Sequence, residues 1–166
     1  GGFLTSAGQI PVERLSRNAI GAYDAAVQAI AEGECIIIYP EGTLTRDPDL
    51  WPMKGKTGAG RIALATGCPV IPVGQWGAQE VLPPYTKRPH LVPRKNIVMK
   101  AGDPVPLDDL LALPQSAETI ARATDRIMAA ITAVFTLARV AQMLAEDEDW
   151  LHEISSEMDP EDGILS

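Results

Sequence analysis

The residues best placed to do chemistry lie in the stretch Tyr39-Pro40-Glu41-Gly42-Thr43-Leu44-Thr45-Arg46. An apolar run leads into it, Pro40 fixes the turn, and Gly42 permits a dihedral or a close ligand approach that a side chain forbids. Glu41 and Arg46 therefore stand on a loop at a strand end, where α/β proteins place their sites. Arg14 closes the segment Gly8-Gln9-Ile10-Pro11-Val12-Glu13-Arg14, and its planar fork suits two-point recognition of a phosphate. Lys54, Lys56 and Arg61 add positive charge after the Glu41 loop, near the start of a helix whose unsatisfied backbone N–H groups also suit an anion. These cations around one loop point to an anionic ligand.

Other chemistries fail on spacing. Gly55-Lys56-Thr57 imitates the end of a phosphate-binding P-loop, but that motif needs glycine at position 50, where this chain has Leu50 followed by Trp51 and Pro52. No Gly-x-Ser-x-Gly nucleophile elbow occurs. His90 sits in a proline-rich stretch and His152 in an acidic one, so neither is assigned a catalytic role. With Cys35 and Cys68 they are too widely spaced to form a metal-ligand cluster. Each cysteine lies inside an apolar run and reads as a small buried hydrophobe in a reducing compartment.

The elements that must position these residues follow from periodicity. Ile20, Tyr23, Ala26, Val27 and Ile30 form the apolar stripe of a helix of about fifteen residues, with Ser16 or Asn18 as cap and Gly33 as stop. Cys35 to Tyr39 is apolar on both faces and predicts a central strand ended by Pro40. Thr57 to Thr66 predicts a small-residue helix ending at Gly67, and Cys68 to Gly74 a second, short or edge strand. Gly77 to Arg94 contains four prolines and reads as a surface excursion. Asn96 to Ala101 predicts a third strand turned off by Gly102-Asp103-Pro104. From Ser116, which makes a partial capping box with Thr119, the apolar residues Ile120, Ala123, Ile127, Ile131, Val134 and Ala138 recur at helical spacing. Alternating helices and strands give the α/β class.

Composition bounds the rest. The chain has 166 residues, a formal net charge of -8 and 46% apolar residues, enough for one modest domain with its own core. Residues 1 to 100 carry eleven Lys and Arg against eight Asp and Glu, whereas residues 101 to 166 carry three against fourteen. The first part can meet an anionic ligand or lipid headgroups, and the acidic end repels both. The C-terminal portion of a single domain over 1–144 and an acidic tail over 145–166, either solvated or disordered, are the expected organisation. No basic stripe interleaved with aromatics occurs, so nucleic acid is not an expected partner. Apolar runs are a handful of residues, against the ~18 that suggest a membrane span. Trp51 to Lys54 and Trp76 to Arg88 mix aromatic, apolar and basic residues as an interfacial surface does. The opening Gly1-Gly2-Phe3 has no initiator Met and no leader features, so sequence upstream is expected to be missing.

Taken together, three ordered blocks resemble the lysophospholipid and glycerol-phosphate acyltransferase family, in its 1-acylglycerol-3-phosphate branch. Gly8 to Arg14 resembles the second family block, ending in the arginine that contacts substrate phosphate. Tyr39 to Arg46 resembles the third, usually Phe-Pro-Glu-Gly-Thr-Arg-Ser-Arg, with Tyr39, Leu44 and Thr45 as departures. Val70-Ile71-Pro72-Val73 resembles the fourth. The resemblance implies a partial glycerol-phosphate acyltransferase-like α/β fold, with a mixed sheet flanked by helices. It implies an acceptor and phosphate site drawn from Arg14, Glu41, Gly42, Thr43, Arg46 and Lys54, with no metal. No resident cofactor is implied: acyl-CoA or acyl-carrier protein is a co-substrate, lysophosphatidate the acceptor, and the place of action the cytoplasmic face of the cell membrane, peripherally. The family's His-x-x-x-x-Asp block, whose histidine activates the acceptor hydroxyl, has no counterpart here, since the fifth residue after His90 is Lys95 and after His152 is Glu157. The block is expected upstream of Gly8, and this chain alone is expected to be inactive.

Overall fold

A computed structural model of the chain describes residue 10, residues 19–86 and residues 88–145. Among the described residues five helices and two strands run in the order α1 (Ala19–Ala31), α2 (Gly58–Thr66), β1 (Val73–Trp76), α3 (Ala78–Val81), β2 (Val98–Ala101), α4 (Asp108–Leu111) and α5 (Ala117–Ala145). They are grouped into two compact units, one of residues 1–72 and 103–131, the other of residues 73–102 and 132–166. The acidic segment from residue 146 lies outside the described residues.

The first unit is organised around small residues. Ala59, Ala63 and Leu64 of α2 pack with Val105, Leu107, Leu110 and with Ile120, Ala123 and Ile127 of α5. Leu110 is fully enclosed, and burial of a leucine side chain contributes about 1.5–3 kcal/mol. Gly60 explains how closely α2 approaches α5: a β-carbon there would sit 2.9 Å from the Ile120 carbonyl oxygen and 2.9 Å from the Thr124 nitrogen. The buried Thr124 hydroxyl is satisfied within α5, donating to the Ile120 carbonyl at 2.8 Å. Gly67 ends α2 in the left-handed conformation, φ 64°, with its N–H on the Ala63 carbonyl. The predicted cap of α5 is present, since the Thr119 N–H donates to Ser116 Oγ at 3.1 Å and the two hydroxyls lie 2.9 Å apart.

In the second unit β1 and β2 pair antiparallel, with Gly74 opposite Lys100 and Trp76 opposite Val98. Gly74 lies against α5, where an added β-carbon would be 2.6 Å from the Phe135 nitrogen. Trp76 meets the Phe135 ring edge to face at 5.3 Å, and the Arg139 guanidinium sits 4.8 Å over the Trp76 ring. Glycine and tryptophan two residues apart thus turn one face of β1 onto the helix.

The α/β class holds, but the strands differ from expectation. Cys35 to Tyr39 has no strand pairing, and Ile37 and Tyr39 are 82% and 79% exposed. An apolar run becomes a central strand only where partner strands flank it, and among the described residues none does. The expected strand over Cys68 to Gly74 is displaced to Val73–Trp76, because Pro69 and Pro72 have no N–H to give a ladder. Among the described residues the expected mixed sheet is this single antiparallel pair. The cysteines also depart from the buried reading: Cys35 is exposed, and Cys68 is half-buried with its sulfur 3.2 Å from the Thr66 hydroxyl.

Candidate functional site

The Glu41 loop is built by its own polar groups. The Gly42 N–H donates to the Tyr39 carbonyl at 3.0 Å, closing a turn around Pro40 and Glu41. Gly42 has φ 67°, a left-handed backbone that accounts for the glycine. The chain then travels out and returns. The Lys56 N–H donates to the Pro40 carbonyl at 2.8 Å, and the Met53 N–H donates to Glu41 Oε2 at 2.8 Å. Between these closures Asp47 Oδ1 accepts N–H groups from Asp49 at 2.9 Å and Trp51 at 3.3 Å. Thr45 Oγ1 donates to the Trp51 carbonyl at 2.8 Å and accepts from the Asp47 N–H. A loop so cross-tied presents a defined surface instead of a fluctuating one.

The Lys56 side chain lies across the turn. A β-carbon on Gly42 would stand 3.2 Å from Lys56 Nζ and 3.3 Å from its Cδ and Cε. Glycine at position 42 therefore serves twice, supplying the positive φ and leaving room for the lysine stem. Gly55 is similarly tight, a β-carbon there meeting Met128 of α5 at 2.6 Å. The end of the loop is thus seated on α5 immediately before α2 begins.

The structure brings Glu41 and Gly42 together with Met53 and Lys56. Thr43, Arg46 and Lys54 are exposed on the same loop, and Arg14 lies outside the described residues. Lys56, in the sequence one of several nearby cations, brings its ammonium to the Gly42 turn. Its position follows from a backbone bond sixteen residues apart in sequence, Lys56 to Pro40, which no local spacing reports. Glu41 is engaged as an acceptor for a backbone N–H, so its carboxylate holds the loop closed whatever else it contacts. A shallow cleft of about 440 Å³ lies elsewhere in the first unit, between Ala63, Cys68, Pro69, Val105, Leu107 and Leu111. None of Glu41, Gly42, Thr43, Arg46 and Lys54 lines it. Among the described residues no group of His, Cys, Asp and Glu is arranged to hold a metal ion.

The part of the chain that holds this loop is similar to known proteins. Residues 1–76 match the family model described as Acyltransferase. The chain is 30% identical over 81 residues to the chloroplastic 1-acyl-sn-glycerol-3-phosphate acyltransferase BAT2 of Brassica napus, covering 48% of this chain and 23% of that protein. Among solved structures it is similar to the 1-acyl-sn-glycerophosphate acyltransferase PlsC of Thermotoga maritima, with 26% identity, a TM-score of 0.49, and coverage of 75% of this chain and 45% of that one. The chain thus spans less than half the length of either relative. The segment of residues 1–76 that is similar to the acyltransferase family contains both Arg14 and the whole cross-tied Glu41 loop.

Proposed function

We propose that the protein carrying this chain transfers an acyl group from acyl-CoA or acyl-carrier protein to 1-acylglycerol-3-phosphate, and that this chain supplies the acceptor side of the site. The observation that supports it most is the Glu41-Gly42 turn, with Lys56 laid across it, inside the segment that matches the acyltransferase family. A backbone turn without a side chain at Gly42 and with an ammonium beside it accommodates an anionic headgroup at close range.

In this reading the Arg14 guanidinium and Lys56 hold the acceptor phosphate, with Arg46 and Lys54 adding positive potential on the exposed loop. Glu41 fixes the loop through the Met53 N–H. Holding the headgroup converts its affinity into orientation of the free hydroxyl toward the thioester carbonyl. A histidine of a His-x-x-x-x-Asp block, in sequence preceding this chain, takes the hydroxyl proton as the oxygen attacks, and the thiol of the donor leaves. Because the acceptor is an acyl lipid, the protein works as a peripheral enzyme at the cytoplasmic face of the membrane. The chain by itself is a phosphate and lipid binding fragment without turnover.

The test is acylation of lysophosphatidate by the protein extended through that upstream block and by residues 1–166 alone. The extended protein consumes lysophosphatidate in preference to an acceptor lacking the phosphate, and the chain alone binds it without turnover. Equal use of both acceptors by the extended protein overturns the phosphate assignment.

A further inference from the structure

Between Leu82 and Lys100 the chain carries Lys87, Arg88, Arg94, Lys95 and Lys100 and not one Asp or Glu, within a protein whose formal net charge is -8. The same nineteen residues hold Leu82, Tyr85, Leu91, Val92, Ile97 and Met99, and all six are exposed. Val92 is 89%, Tyr85 70% and Leu91 67% exposed. Large apolar side chains held this far into water are a cost that a folded chain normally avoids when they occur together.

The segment is mounted on a fixed base. It leaves β1 after Trp76, which is clamped by Phe135 and Arg139, and returns through β2 in register with β1. Gly77, at φ 96°, starts the one-turn α3, and the His90 N–H donates to the Val81 carbonyl at 2.7 Å, drawing the excursion back on its own start. Pro83, Pro84, Pro89 and Pro93 keep the intervening backbone out of helix and ladder. Anchored ends and an open middle present the side chains outward.

We propose that residues 82–100 form a docking surface for an anionic lipid bilayer. Apolar side chains enter the headgroup and acyl boundary while the interspersed cations meet lipid phosphates, the combination that makes interfacial binding depend on both area and charge. Charge complementarity selects the occupant. Without the five cations of this segment the remaining chain has a formal net charge more negative than -8, so attraction to an anionic surface is strongest here, where cations stand with no carboxylate among them. The apolar residues are also dispersed among the cations along the segment, an arrangement that a fluid surface accommodates more readily than the fixed pockets of a protein partner. Among the described residues no helix is long and apolar enough to cross a membrane. The inference deepens the peripheral reading above and rests on that part of it alone.

The experiment is co-sedimentation of residues 1–166 with vesicles of phosphatidylcholine and of phosphatidylcholine mixed with phosphatidylglycerol, a readout that does not involve acyl transfer. The chain sediments with the anionic vesicles, and added salt weakens it. Arg88→Gln/Arg94→Gln binds those vesicles about 25-fold more weakly, at about 5-fold per lost cation. Leu91→Ser/Val92→Ser also loses affinity, whereas Arg122→Gln, an exposed cation on α5, does not. Circular dichroism verifies that each variant keeps its helices. Equal binding to both vesicle types, or undiminished binding by Arg88→Gln/Arg94→Gln, overturns the proposal. So does saturable binding of an acidic carrier protein at this segment without vesicle association. Failure here with intact lysophosphatidate acylation by the extended protein separates this inference from the proposed activity.

Discussion

At the scale of single residues, Glu41, Gly42 and Lys56 carry the proposed site, and each has a role that substitution can isolate. Glu41 accepts the Met53 N–H at 2.8 Å, a bond that an amide oxygen can also accept. Glu41→Gln therefore keeps the loop tied, while Glu41→Ala leaves that N–H without its acceptor at a cost of about 1 kcal/mol. The expected outcome is near-normal melting for Glu41→Gln and a lowered melting temperature for Glu41→Ala. Acceptor KM in the extended enzyme then reports whether the charge itself matters. Gly42→Ala faces two penalties, the positive φ, at roughly 1–2 kcal/mol, and collision with the Lys56 stem. Adding Lys56→Ala removes only the second, so the double variant should recover part of the lost melting temperature. Full recovery would show that backbone conformation is not limiting at position 42. The turn was legible because glycine, proline and charged residues occur there in an unusual order, whereas Arg14 lies outside the described residues. Lys56 was not singled out over Lys54, since the distinction depends on how a loop returns.

At the scale of elements, the helices were legible and the strands less so. Ile120, Ala123, Ile127, Val134 and Ala138 recur at helical spacing and all are buried in α5. Helical periodicity reports one continuous element and its buried face together. A short strand is decided by its neighbour. Cys35 to Tyr39 has strand composition without a partner among the described residues, and β1 begins after the prolines that composition alone placed inside a strand. The close approach of α2 to α5 gives a direct test. Gly60→Ala forces a methyl against the Ile120 carbonyl and the Thr124 backbone and should destabilise by about 1–3 kcal/mol, seen as a lower denaturation midpoint in urea.

A second test at this scale concerns Arg126, whose guanidinium bridges α5 to Asp109 of α4, with Nη2 donating to Oδ2 at 2.7 Å. That hydrogen bond holds the Asp109 carboxyl below its ordinary value. A carboxyl depressed in the folded state stabilises at neutral pH and loses that contribution as acid protonates it. Asp109→Asn should therefore melt slightly below the parent at pH 7, the pair being solvent-exposed. The gap should close as pH falls through and below the ordinary carboxylate range, and a gap that widens in acid would contradict the assignment.

At the scale of the whole molecule, charge is divided by purpose. Cations are concentrated in the first hundred residues, which hold the Glu41 loop and the segment 82–100, and carboxylates in the remainder. Family similarity covers residues 1–76. The most direct measurement is the steady-state kinetics of Arg14→Ala in the protein extended through the His-x-x-x-x-Asp block, with lysophosphatidate and acyl thioester varied separately. Loss of a charge-assisted contact worth about 1.5–3 kcal/mol predicts kcat/KM for lysophosphatidate lowered about 10- to 150-fold, with donor KM unchanged. Acceptor kinetics identical to the parent would contradict the placement of phosphate recognition in this chain.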